Sequence, residues 1–341
     1  MAQHDYVIDN STGANVRADI NNVLLAISSN NSGSSAPSTN YASQFFANTN
    51  TSFMQLRNTA NNAHINLFSL AGSPAFPVDG TINSVNIGKG ANSVAGNTVL
   101  GESALDDSVS GGNNTAIGKE ALTALTSGTS CTAVGHIAGF SHTTGNNLTA
   151  IGRGAAYANT SGAENTGIGA GALFDNTTGG SNTAVGRLAL ENNTTASNNT
   201  AVGKSSLAAN TTGTGNVAVG ANALDANTTA NDNIAIGYNS LTANTTGTLN
   251  IGIGSLAGDA ITTGDQNIAI GYRSLSANQT GGQNIAIGVD ALKLSTADNN
   301  TAVGYDTLKA NTTGSSNTAL GANALDANTT ASNNTAIGFN C

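Results

Sequence analysis

The stretch Asn199–Gly220, NTAVGKSSLAANTTGTGNVAVG, holds one complete unit of a repeat and the start of the next. Gly203 and Gly220 each follow an Ala-Val pair, and they stand 17 residues apart. The same step links Gly101, Gly118, Gly135, Gly152, Gly169, Gly186, Gly203, Gly220, Gly237, Gly254, Gly271 and Gly288. The series then continues through Gly304, Gly321 and Gly338 after one 16-residue step, in the segment KLSTADNN where other units read like ANTTGSSN. A fixed period of this length is the mark of a solenoid, and a tolerated deletion marks a surface turn.

Three further positions repeat with the glycine. The residue before it is aliphatic in every unit: Leu100, Ile117, Val134, Ile151, Ile168, Val185, Val202, Val219, Ile236, Ile253, Ile270, Ile287, Val303, Leu320 and Ile337. Aliphatic side chains repeating in register predict a buried core row, so Ile236→Asp is expected to destabilise the fold strongly. Two residues before the glycine the side chain is small, as at Ala116, Ala133, Ala150, Ala184, Ala201, Ala218, Ala235 and Ala269, with Gly167 and Gly252 in two units. In a strand this row faces the other way, and its uniform smallness predicts close approach of a second subunit. Four residues before the glycine stands Asn in thirteen of the fifteen units, including Asn165, Asn182, Asn199, Asn216, Asn233, Asn250, Asn267 and Asn284, with Cys131 and Leu148 as the exceptions. Two readings fit that row: an amide ladder between stacked coils, or a residue that tolerates a turn.

Leu recurs four residues after the glycine, as at Leu122, Leu207, Leu241 and Leu325, and supplies a second apolar row. An NTTG segment follows, as at Asn210–Gly213, and turns the chain. Each unit therefore predicts two short strands and two turns, and the coil is either a two-sided roll or a three-sided prism, with only two apolar nodes in 17 residues favouring the roll. Units broken by Gly, Asn and Thr every few positions exclude helical repeats. The expected fold is mainly β: a parallel β-solenoid, or β-roll, of about fifteen coils over residues 87–341, roughly 70 Å long at ~4.8 Å per strand.

Composition agrees with an ordered, sparsely charged repeat fold. Of 341 residues only 9% are charged, where about 25% is usual, and 38% are hydrophobic. The net charge of −9, with neither basic clusters nor interleaved aromatics, speaks against a nucleic-acid partner. No apolar run approaches the ~20 residues of a membrane span, and MAQHDYVIDN lacks the features of a secretory signal.

Residues 1–75 do not repeat and form a separate small α+β module. Asp9, Ser11 or Thr12 can cap a helix at about 13–28, with Val16, Ile20, Val23, Leu24 and Ile27 on one face. That stripe suits either a packed core helix or a three-chain helical contact. Residues 28–38 read as a linker, 41–70 as a three-stranded meander, and 76–86, with Pro77, as a second linker into the shaft.

The units NTAVGKSSLAANTTGTGN and NIAIGYNSLTANTTGTLN resemble repeats of phage tail fibres and, more distantly, head repeats of trimeric autotransporter adhesins. SVNIGKGANSVAGNTVLG, with 13 residues between Gly88 and Gly101, is nearest the adhesin type. The opening MAQHDYVIDNSTGANVRADINNVLLAI is similar to N-terminal segments of fibre proteins in phages of marine bacteria. The resemblance implies a homotrimer of parallel β-rolls in a virion tail, synthesised in the host bacterial cytoplasm. It also implies docking on other tail proteins through residues 1–75, and host attachment through a surface receptor or glycan. An adhesin-like solenoid that binds its receptor through Thr/Asn-rich turns is the alternative. The chain ends at IGFNC, part-way through a unit, where a solenoid is expected to need a cap.

No catalytic, cofactor or metal site is expected. His4, His64, His136 and His142 stand apart from ligand-type neighbours, and the glycines follow the coil period and no phosphate-loop motif. Cys131 and Cys341 make no metal or redox spacing. Two units depart from the pattern: one around Cys131, His136, Phe140 and His142, the other GSLAGDAITTG at Gly254–Gly264. In both, Gly replaces the Leu (Gly139, Gly258) and an aliphatic stands two places earlier (Ile137, Leu256). They read as alternative core packings or as ligand sites.

Overall fold

The computed structural model describes residues 45–49, 53–57, 64–69, 80–82 and 85–341. The helix expected at 13–28 and the linker at 28–38 lie outside these residues. The chain divides into two units between Gly80 and Thr81. In the first, strands β1 (Phe45–Asn48), β2 (Phe53–Arg57) and β3 (His64–Ser69) pair antiparallel in the order β1-β2-β3.

The second unit is a parallel β-solenoid with almost no helix. Its fifteen parallel strands run from Thr98–Gly101 to Thr335–Ile337, one per coil, and so bound fourteen coil steps. Register follows the sequence period: Thr200, Ala201 and Val202 pair with Val217, Ala218 and Val219. At the shortened unit Ile285 pairs with Thr301, and the ladder continues unbroken. Thr296 there donates its N–H to Thr312 as the first Thr of other turns does, so the missing residue is the second Thr of NTT, exposed in neighbours such as Thr212.

Parallel stacking begins at Thr98–Gly101, later than the expected residue 87. Gly80–Ile82 and Val85–Gly88 are strands, not linker, and Val85–Gly88 pairs antiparallel with Thr98–Gly101. The 13-residue opening unit is thus a reversed edge strand and not a short coil.

Each coil holds one strand of three residues, not two strands. The corner glycines expected at Gly118, Gly135, Gly152, Gly169, Gly186, Gly203, Gly220 and Gly237 all have φ between 124° and 140°. At Gly203 a Cβ would also sit 2.5 Å from the carbonyl oxygen of Gly220, so stacking at this corner admits no side chain. The Leu segment that follows is a run of turns. Leu207 itself has φ 51° and is fully buried. A left-handed Leu costs about 1–2 kcal/mol, which burial of its side chain, worth roughly 2 kcal/mol, offsets.

The core is inverted relative to the sequence expectation. Ala116, Ala133, Ala150, Ala184, Ala201, Ala218, Ala235 and Ala269 are completely buried within the single chain. They face the Leu row of the opposite wall and are not a subunit-interface row. The aliphatic row from Ile117 to Ile337 points outward: Ile236 is 40% exposed and Leu320 48%. The reason is width. At Gly252, in the small row, an added Cβ would lie 2.8 Å from Leu241 Cγ and 2.5 Å from Ser240 Oγ. A cross-section this narrow holds one Leu per coil and small residues against it, and excludes a second branched row.

Candidate functional site

Amide ladders tie the coils together. In the Asn165–Asn284 row each Oδ1 accepts the backbone N–H of the next Asn, as between Asn199 and Asn182 at 3.0 Å. Each Nδ2 donates to a turn carbonyl of the following coil, as from Asn199 to Gly213 at 2.8 Å. These side chains are buried, so the row satisfies backbone groups that the three-residue strand leaves over.

A second ladder runs through the Asn of NTT, which the sequence reading treated only as turn. Asn193, Asn210, Asn227 and Asn244 each donate Nδ2 to the Oδ1 of the Asn one coil earlier, at 2.7–3.1 Å. Its signal was available, because Asn recurs seven residues after the corner glycine. The ladder stops at Ile261, and the buried Oδ1 of Asn244 is left without a donor.

The two departing coils are repacked cores. Opposite Gly139 the space is filled by Leu122 and by Leu148, which stands where other coils carry Asn. Beside Gly258 it is filled by Leu241 and Ile261. Ile137 and Leu256, expected to take over the apolar role, are instead only half-buried.

Cys131 and His142 meet in the first of these coils, with Sγ and Nε2 3.5 Å apart. His142 occupies a ladder position: its Nδ1 accepts from Asn159 Nδ2 at 2.8 Å, which leaves Nε2–H to donate to the Gly145 carbonyl at 2.8 Å. Burial pushes the imidazole below its usual range and the thiol above its own. Both groups are therefore held neutral, and the arrangement opposes a thiolate–imidazolium pair. Among the described residues no group of three or more His, Cys, Asp or Glu is placed to hold a metal. No helix there is long and apolar enough to cross a membrane.

Three features reach the surface. One is a polar cleft of about 500 Å³ lined by Thr248, Asp265, Gln266, Gln283 and Asp298. Its carboxylates already serve coil stacking: Asp265 Oδ1 accepts from the Thr248 backbone and hydroxyl, and Asp298 Oδ1 from the Gly282 N–H. The second is an apolar strand face. Over five successive coils Val217, Ile234, Ile251, Ile268 and Ile285 stand beside Val219, Ile236, Ile253, Ile270 and Ile287, all partly exposed. The third lies past the corner glycines of the earlier coils, where basic and aromatic side chains stack.

Comparison with protein-family models, curated proteins and solved structures finds no match to this chain.

Proposed function

We propose that the chain is a structural fibre subunit of a phage tail, assembled as a homotrimer that projects the solenoid for host attachment. A parallel β-solenoid is compatible with a fibrous or adhesin-like structural protein; the trimer and the virion setting are our reading. The apolar strand face carries it. Ten β-branched side chains in two adjacent columns stay partly exposed on a coil whose interior is already filled by Ala, Leu and Asn. Contiguous exposed apolar surface of this kind marks a protein interface, and a flat ladder repeated on identical chains matches its own copies. The resemblance read in the repeat units and in the opening segment points to the setting.

Sedimentation equilibrium of the purified full chain tests the assembly. Three times the chain mass is expected at micromolar concentration, and a stable monomer overturns the reading.

A further inference from the structure

The residue after each corner glycine forms an outward row along the solenoid. Over six successive coils it reads Lys119, His136, Arg153, Ala170, Arg187 and Lys204, every one exposed. This places four of the ten Lys and Arg residues of an acidic chain in one line. Lys119 pairs with Glu102 at 3.2 Å, whereas Arg153, Arg187 and Lys204 make no ion pair among the described residues. Alongside runs an aromatic ladder. Phe140 stacks on Tyr157 with ring centres 5.3 Å apart, and Tyr157 on Phe174 at 4.9 Å, with planes within 10° of parallel.

The two rows meet at a notch. Ala170 interrupts the basic row, and Glu191 takes the position that follows Phe174 in the aromatic ladder. Between them opens a cleft of about 210 Å³ lined by Arg153, Ala170, Gly171, Phe174, Arg187 and Glu191. The two arginines lie two coils apart, roughly 10 Å between backbones at ~4.8 Å per strand, so both guanidinium forks reach a group seated over Ala170.

We propose that this notch binds the anionic group of an acidic polysaccharide laid along the coil axis, with the flanking cations following its further charges. Two forked guanidiniums with no ion pair among the described residues suit a carboxylate or sulfate. Phe174, stacked on one side only, offers an apolar ring beside them, and Glu191 accepts from hydroxyl groups. That carboxylate favours a hydroxyl-rich chain over a phosphodiester backbone, and the mutually stacked rings leave no gap for bases to enter. The site lies beyond the corner glycines and off the apolar strand face, so it does not rest on the assembly reading.

Calorimetric titration of the full chain with polygalacturonate oligomers, a neutral glucan and oligothymidylate tests it. Polygalacturonate is expected to bind, more weakly as salt rises, and the glucan not to bind. R153A/R187A is expected to weaken binding about tenfold or more, and A170L, which fills the notch, to do the same with unchanged melting. K309A, on a distant coil, serves as the control that keeps full affinity. An assembly-deficient I236D/I253D chain is expected to bind as the parent does. No binding to polygalacturonate, or unchanged affinity in R153A/R187A, overturns the proposal. So does full binding by A170L, which places the ligand along the row and outside the notch. Tighter binding of oligothymidylate overturns it in favour of nucleic acid.

Discussion

At Ala235 the side chain is completely buried, and Ile236 beside it is 40% exposed, so neighbouring residues of one strand answer to different environments. Ala235→Leu forces three extra carbons against the Leu row and is expected to cost about 1–3 kcal/mol or more of coil stability, read as a lower melting temperature. His142 gives a second test. Its folded-state pKa is depressed by burial, so the unfolded chain takes up a proton that the folded chain refuses. The stabilisation is complete above the ordinary imidazole value of about 6.5 and is lost as pH falls below it. His142→Asn, which restores the ladder amide facing Asn159, is expected to flatten that loss in denaturant titrations between neutral and mildly acidic pH. An unchanged slope would show that the ring is not the titrating group.

At the scale of a coil, position and partner act together. Gly258 leaves room that Ile261 occupies, and Ile261 in turn breaks the amide ladder and strands the Oδ1 of Asn244. Ile261→Asn alone mends the ladder but opens a cavity, and Gly258→Leu alone clashes with Ile261. Leu is tolerated at the left-handed φ of this position in most other coils, as at Leu241 with φ 49°. The double variant is therefore expected to melt above both single variants, with a coupling of about 1–3 kcal/mol in a double-mutant cycle. Additive effects would break the link between ladder and core. The shortened unit makes a related point: a residue lost from the exposed end of NTT leaves the strand register intact, because the ladders hold the coil on either side.

For the whole solenoid, the outward aliphatic face separates folding from assembly. Ile236→Asp, expected from sequence to break the core, is now expected to leave coil stability nearly unchanged in the isolated chain. Combined with Ile253→Asp it places charges on an apolar interface in every copy and is expected to yield monomers of native circular dichroism. Loss of folding in the double variant would return the aliphatic row to the interior. The period, the corner glycines, the surface deletion and the exclusion of helical repeats were legible because each is a repeating local constraint that sequence spacing records directly. The reversed first strand was not, because pairing direction depends on where the chain turns between Gly88 and Thr98. Nor was the meeting of Cys131 with His142, which only the coil closure brings about. The sequence by itself determined a 17-residue coil with two alternating rows per strand. Only the tertiary structure decided which row faces inward: hydrophobicity alone favours Ile over Ala, but a cross-section already filled by one Leu per coil has space for a methyl group and no more.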